Sequence, residues 1–407
     1  MKHIWILNHY AQEPGGVGGT RHYSLARHLP HYGWKATIIA ASTDHAAGTQ
    51  RLGGGETSRL QDYDGVPFLW LGARAYAGNG GDRVGNMLDY TRAVLRRKNL
   101  SGLDAPDAII GSSVHPFAAW AGRKLARRFG VPFIFEVRDL WPQTLIDMGR
   151  LSQRHPAAVA LRALEKSLYR DAARIIVLLP KAHDYIEPLG ISLEKIVWIP
   201  NGVDVENFPT RPPRQPDGAF TLMYFGAHGG ANGLENLLAA MQRVGADPAG
   251  QNIVLRLIGD GPLKSTLVAK AREEGLTNVR FEDPVPKSQI PDLAAQADAF
   301  VFNLIDAPVF KYGISSNKLF DFLAAGRPVL FCCTSPNNPI AEAGAGLTVA
   351  PENPQALADA ILALASLPSD ERARMGAAGR RHLEDNYDMR GLAARLASVL
   401  DDSLRSR

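Results

Sequence analysis

The sequence predicts an α/β protein made of two doubly wound, Rossmann-like domains facing each other across a cleft, and three observations predict it. Apolar runs of strand length alternate with helical patterns along most of the 407 residues, the mark of βα units on parallel sheets. The alternation breaks once, after Ile199, where Pro200, Pro209, Pro212, Pro213 and Pro216 stiffen a polar stretch, and then it restarts. The length exceeds a usual single domain and leaves each half enough chain for its own core. The expected division is residues 1–200, residues 201–388, and a last helix in 389–407 that packs back on the first domain.

In order, the first half should hold strands near 3–8, 35–42, 66–72, 107–112, 132–137, 174–179 and 195–199, with helices near 20–30, 84–98, 116–129 and 156–172. The stretch Asp44 to Gly65 carries glycines and little periodicity, and is expected to be one long mobile loop. The second half should hold strands near 220–225, 252–258, 279–282, 299–305, 328–333 and 346–350. Ligands of such sheets bind at the carboxyl ends of the strands, so the motifs that follow strands are the ones to weigh.

Composition sets broad limits. No apolar run reaches the roughly 18 residues needed to span a bilayer, and the opening MKHIWILNHY lacks a signal-peptide pattern, so a cytoplasmic protein is expected. Cys332 and Cys333 are the only cysteines; they are adjacent in an apolar run and read as packing residues. The first 200 residues hold 25 Lys and Arg against 17 Asp and Glu, while the remainder is acidic. Two helical stretches concentrate that charge, Arg92, Arg96, Arg97 and Lys98, then Arg123, Lys124, Arg127 and Arg128. Such runs are usually solvated helix faces; with Leu95, Leu125 and Phe129 beside them, contact with an anionic membrane surface is the alternative. No nucleic-acid partner is expected.

The stretch IDAPVFKYGISSNKLFDFLAAGRPVLFCC is the most informative. Ser315 and Ser316 stand where a helix cap would be, and Gly326 with Pro328 ends that helix. A helix start presents unpaired amides and partial positive charge, which suit phosphate. Lys318 lies just inside it, and Asp321 falls three residues on, on the same helical face. One face can thus offer a cation to a diphosphate and a carboxylate to ribose hydroxyls; a surface ion pair between the two is the plainer alternative.

Five further motifs follow strands. Gly15, Gly16, Gly18 and Gly19 allow close approach of a ligand, with Thr20 as a cap for the next helix. Arg21 stands where a dinucleotide fingerprint needs glycine, and His9 to Pro14 separate strand from glycines, so NAD is not expected. His115 and Pro116 end one strand and open a helix; Glu136, Arg138 and Asp139 end another, with Arg138 and Asp139 facing the cleft and Glu136 serving as a structural partner. In the second half Gly226, His228, Gly229 and Gly230 form one loop, and Gly259, Asp260 and Gly261 the next. With the Ser316 helix they set three helix starts along one sheet edge.

PGGVGGTRHYSLARHL, IPNGVD, IGDGP and NKLFDFLAAGRPVL together resemble the retaining, nucleotide-sugar-dependent glycosyltransferases of family four, over nearly the whole chain. EVRDLWP and GISSNKLFDFLAAGRPVL resemble the subgroup of bacterial surface-polysaccharide assembly that includes N-acetylfucosamine-type transferases. The resemblance implies a GT-B fold and transfer of a sugar from a nucleoside diphosphate sugar, UDP-linked by preference, to an acceptor hydroxyl with retention. It implies an acceptor-binding first domain and a donor-binding second one. Asp321 matches the second glutamate of the family's EX7E motif, which holds the ribose, whereas Gly313 stands at the first and lacks a carboxylate. Ala227 and Asn232 stand where many members carry Arg and Lys, which leaves Lys318, the Ser316 and Asn317 helix start, and Arg138 or His228 for the diphosphate. His115 matches a histidine near the donor sugar, Gly16 and Gly18 the acceptor-side loop, and Val285 a backbone contact to the base, while Asp139 falls on the acceptor side. No metal or cofactor is implied; the partners are the donor and a carbohydrate or polyprenyl-diphosphate-linked acceptor, at an inner membrane face. Two rivals share the fold: a nucleotide-sugar 2-epimerase and a non-catalytic nucleotide-sugar-binding subunit.

Overall fold

Strand β1 (Lys2–Leu7) shows why layers form on both sides of the sheet. Ile4 and Ile6 enter one apolar core while Trp5 and Leu7 enter the opposite one, so both faces must be covered. The chain is described by a computed structural model at residues 1–16, 19–44, 48–76, 81–212 and 218–405. It divides into two compact units.

Unit 1 takes in Met1–Asn201, Tyr312–Ile314 and the C-terminal helix Met389–Arg405. Its strands are β1, β2 (Trp34–Ala41), β3 (Ser58–Tyr63), β4 (Val66–Leu71), β5 (Ala108–Ser112), β6 (Phe133–Val137), β7 (Arg174–Val177) and β8 (Ile196–Trp198). They lie in the order β3-β4-β2-β1-β5-β6-β7-β8, all parallel except β3 against β4. The order reverses between β1 and β5, so the loops after these two strands flank a topological switch point. Met389, Leu392, Leu396 and Leu400 of the C-terminal helix join Ile4, Ile6 and Trp34 in one core. Asp401 on that helix pairs with Lys2 and accepts from Trp34 Nε1 at 3.1 Å.

The stretch 44–65 is not one loop. Its second half is the edge strand β3, which turns back through Asp64 and Gly65, both at positive φ (51° and 83°). That is the two-residue hairpin turn which matches strand twist. The strand escapes a hydrophobicity-based reading because its side chains are largely exposed or half-buried, as suits a sheet edge. Residues 45–47 lie outside the described residues.

Unit 2 takes in Gly202–Lys311 and Ser315–Asp388. Its strands are β9 (Phe220–Phe225), β10 (Ile253–Ile258), β11 (Val279–Glu282), β12 (Ala299–Asn303), β13 (Val329–Cys332) and β14 (Gly346–Val349). They form an all-parallel sheet in the order β11-β10-β9-β12-β13-β14. The switch point lies between β9 and β12, which places the Gly226 loop and the chain leading to the Ser316 helix at it. The segment after Asn201 is held on unit 2 by Arg380, whose guanidinium donates to the Phe208 carbonyl at 2.7 Å, and by Arg327, which donates to Pro212 at 2.8 Å. Residues 213–217 of the proline-rich stretch lie outside the described residues. Cys332 and Cys333 are buried and unbridged. Among the described residues no helix is long and apolar enough to cross a membrane.

Candidate functional site

In unit 2 the two glycine loops interlock by backbone. His228 N donates to Asp260 O at 2.8 Å, Gly226 N to Ile258 O at 3.0 Å, and Leu263 N to His228 O at 3.0 Å. A Cβ on Gly259, at φ 144°, would lie 2.0 Å from the Gly226 carbonyl oxygen, so glycine is required there by loop packing itself. Gly229 precedes the short turn Gly230–Asn232, and the Asp260 carboxylate accepts from Gly261 N at 2.7 Å.

Lys318 reaches into this loop from the helix Asn317–Ala324. Its stem lies alongside Gly226, and its ammonium donates to Tyr224 Oη at 2.7 Å and to Asn232 Oδ1. The ammonium also sits 4.5 Å from the centre of the Tyr224 ring. Burial lowers its pKa to about 7. No carboxylate pairs with it among the described residues. His228 is buried beside it, with neither ring nitrogen hydrogen-bonded among the described residues; burial, then Lys264 and Lys318, lower its pKa, against an opposing pull from Asp260. This loop thus holds a lysine with no counter-charge and an imidazole with no hydrogen-bond partner among the described residues, a combination that a bound anion would resolve.

Asp321 does not pair with Lys318. Its two carboxylate oxygens accept from Lys287 Nζ at 2.5 and 2.6 Å, and the residue is buried. The surface-pair alternative therefore fails: each side chain of the helix face has a partner from a different loop. Lys287 follows Val285 by two positions, so the loop after β11 is tied to the carboxylate. Ser316 is the N-cap residue by position, yet its hydroxyl accepts no amide. Gly313 has φ 106° and is grouped with unit 1, next to Tyr312, whose ring lies 5.8 Å from that of Tyr185. Ser315 and Asn317 flank the cap at partial exposure.

In unit 1 His115 is the N-cap of the helix Pro116–Phe129, its Nδ1 accepting from Ala118 N at 3.3 Å. Its Nε2 lies 2.5 Å from His9 Nδ1, and since His115 Nδ1 accepts, this pairing assigns the proton to Nε2. His9 in turn stacks on Tyr90 with ring centres 4.6 Å apart. Burial, with Arg83 adding, pushes the His115 pKa down to about 3, so the ring is neutral at physiological pH. His9 went unrecognised in the sequence; its place directly after β1, at the switch point, is the signal that could have found it.

Glu136 is the hub of a buried network. Arg21 Nε donates to it at 2.9 Å, His22 Nε2 at 2.6 Å and Ser112 Oγ at 2.7 Å. Burial alone would raise its pKa, but His22 and Arg21 hold it well below the carboxylate range. Arg21 also donates to the carbonyls of Ile199 and Pro200, which explains an arginine where a dinucleotide fold has glycine. Arg138 and Asp139 follow at the end of β6; Asp139 is exposed, and Arg138 N donates to Ser113 Oγ at 3.1 Å. The glycine loop is pinned by Arg51, which donates to Gln12 at 2.8 Å, Glu13 at 2.8 Å and Asp44 at 2.7 Å. Gly15 has φ 90° in its turn, Gly16 N donates to Glu13 O at 3.1 Å, and Gly19 is half-buried. Gly18 lies outside the described residues. Thr20 precedes the helix Arg21–His28 without capping it through its side chain. The second basic stretch is largely paired: Arg123 and Arg127 donate to Asp171 at 2.9 and 2.7 Å, and Lys124 lies over Trp120.

Comparison with known proteins adds a family context. A glycosyl transferase 4-like domain matches residues 15–202, and a glycosyl transferases group 1 domain matches residues 219–366. A probable glycosyltransferase, WbjE, of Pseudomonas aeruginosa is 26% identical over 63% of this chain and 65% of its own length. The putative colanic acid biosynthesis glycosyl transferase WcaI of Escherichia coli is 22% identical over 54% of this chain and 56% of its own length. The matches therefore span less than two thirds of these relatives. Among solved structures, sucrose-phosphate synthase of Thermosynechococcus elongatus is similar at a TM-score of 0.78 with 16% identity, covering 100% of both chains. HepE of Anabaena, in complex with UDP and glucose, is similar at 0.67 with 17% identity, covering 98% of this chain and 99% of its own.

Proposed function

The chain belongs to the glycosyltransferases of the GT-B fold, related to enzymes of polysaccharide biosynthesis, and from that premise we propose that it moves a sugar from a nucleoside diphosphate sugar to an acceptor hydroxyl with retention. The observation that carries this reading is Lys318, an ammonium held between Tyr224 and Asn232 at the switch point of the unit 2 sheet, with no carboxylate on it among the described residues. UDP is the favoured carrier, since a neighbour of the same fold holds UDP and glucose.

In the proposed reaction the bond from the anomeric carbon to the diphosphate breaks, and the acceptor oxygen bonds to that carbon on the same face. The acceptor proton passes to the departing phosphate. The negative charge that develops is met by Lys318 and by the amides at the Ser316 helix start, a preorganised electrostatic role that asks for no metal. Asp321 would take the ribose hydroxyls on the carboxylate lone pairs left by Lys287, and the backbone near Val285 would take the base. His228, Gly226, Gly229, Gly259 and Asp260 would line the phosphate side, with Ser315, Asn317 and Gly313 toward the sugar. In unit 1, neutral His115 would turn its Nε2 proton from His9 to the donor sugar, while Arg138, Asp139 and the Gly15 to Gly19 loop would serve the acceptor. The stretches EVRDLWP and GISSNKLFDFLAAGRPVL extend the proposal to surface-polysaccharide assembly, with an N-acetylfucosamine-type sugar, in the cytoplasm at the membrane face.

The test is thermal unfolding of the protein with UDP, GDP, ADP, their sugar conjugates and NAD, with Lys318→Met and Asp321→Ala in parallel. A ligand bound only by the folded state raises the midpoint with concentration. Stabilisation by one nucleoside diphosphate, weakened in both variants, is the expected result; a response to NAD alone would overturn the assignment. Product analysis then distinguishes a new glycoside from an epimer.

A further inference from the structure

A charged concavity lies in unit 1, on the helix that carries the first basic stretch. It has a volume of about 260 Å³ and is lined by Gly72 and Arg74, just after β4, and by Asp89, Arg92 and Arg96 of the helix Gly81–Leu95 and its end. Gly72 immediately follows the carboxyl end of β4, so the hollow opens on the ligand-binding edge of the sheet.

Its arginines are set in place. Asp89 accepts from Arg74 Nε at 2.7 Å and Nη2 at 3.3 Å, which fixes the guanidinium plane. A Cβ on Gly85 would come within 2.7 Å of Arg74 Nη1, so the guanidinium lies flat on the helix because that position is glycine. Asp89 holds Arg92 more loosely, at 3.7 Å, and Arg92 is 67% exposed. Arg96 is exposed and makes no side-chain hydrogen bond or ion pair among the described residues. Three guanidinium groups against one carboxylate leave the hollow cationic.

The same helix face continues as an apolar stripe. Val84 and Leu88 precede Arg92 at steps of four, so these three lie along one side of the helix, and Arg96 follows in extended conformation just past its end. Val84 is 50% exposed and Leu88 36%, so two apolar side chains one turn apart face outward beside the arginines. A cationic hollow joined to an exposed apolar stripe complements an amphiphile with an anionic head and a hydrocarbon tail.

We propose that this hollow binds the phosphate or diphosphate head of a lipid-linked acceptor, with Arg92 and Arg96 as its ligands and Val84 and Leu88 against the tail. The inference rests on the acceptor assigned to unit 1 under the proposed function. Its place at the sheet edge favours a substrate head group over the bulk membrane surface.

The experiment is calorimetric titration of the full chain with geranyl diphosphate, inorganic pyrophosphate and UDP, with wild type, Arg92→Ala/Arg96→Ala, Leu88→Gln, Lys98→Ala and Lys318→Met. Losing two charge-assisted contacts should weaken geranyl diphosphate at least about tenfold in the double variant, with UDP binding unchanged as the check on folding. Leu88→Gln should weaken geranyl diphosphate but not pyrophosphate, and Lys98→Ala neither. Equal affinity of wild type and the double variant for geranyl diphosphate overturns the proposal. So does binding only to vesicles containing phosphatidylglycerol with none to the soluble diphosphates, which would make the face a membrane-surface contact instead. Loss of UDP binding in Lys318→Met tests the donor assignment separately, so either reading can fail alone.

Discussion

Lys318 is the residue whose chemistry depends most on what surrounds it. Its pKa falls to about 7 from 10.5 because its neighbours are neutral and water is largely excluded. Between those two values the unfolded chain holds a proton that the folded chain lacks, so this group makes stability rise with pH across that window. Wild type should therefore gain on Lys318→Met as pH rises from about 7 toward 10.5, read from denaturant midpoints; a flat difference would show that the ammonium is solvated. The donor's diphosphate should restore the charge, so binding above neutral pH takes up a proton, visible as a dependence of the calorimetric heat on buffer ionisation. Glu136 behaves oppositely, since its charge is already matched. Glu136→Gln should cost about 3–5 kcal/mol by leaving Arg21 buried without its counter-charge, measured by urea unfolding, and a change below about 1 kcal/mol would mean that water reaches the network.

At the scale of elements, the glycine loops show how a sequence motif can be a packing device as well as a ligand seat. Gly259→Ala meets the Gly226 carbonyl oxygen and also demands a strained φ, whereas Gly15→Ala, at φ 90°, meets nothing within 4 Å among the described residues. The first should cost several kcal/mol and weaken nucleotide binding, the second only about 1–2 kcal/mol of backbone strain; equal midpoint shifts for the two would refute this packing account. The helix at Ser316 was legible as a helix, with Lys318 and Asp321 at its start, because caps, glycine and periodicity are local signals. The partners were not: Lys287 reaches Asp321 from 34 positions away, and Tyr224 meets Lys318 across 94. Strand β3 was missed because an exposed edge strand carries no hydrophobic signal, although Asp64 and Gly65 announce its turn.

At the scale of the whole chain, two units with separate cores give a donor-side prediction confined to one of them. Hydrogen exchange with a bound nucleoside diphosphate should slow in 224–233, 258–263, 285–287 and 315–321; slowing confined to β1 to β5 would move the donor site to unit 1. The C-terminal helix contributes Leu396 to the unit 1 core at 2% exposure, so Leu396→Ala should cost about 2–5 kcal/mol and lower the unfolding midpoint without altering nucleotide affinity. The sequence by itself determined the α/β class, the two runs of βα units, the strands that end in glycine loops, and the helix that carries Lys318 and Asp321. Each of these rests on local periodicity, capping and backbone freedom, which neighbouring residues encode. Only the tertiary structure decided that Arg21 and Glu136 form a buried pair, that His9 meets His115, that Asp321 answers to Lys287, and that three arginines border one hollow. Those contacts join residues far apart in the chain, and their energies depend on burial and distance, which no local pattern specifies.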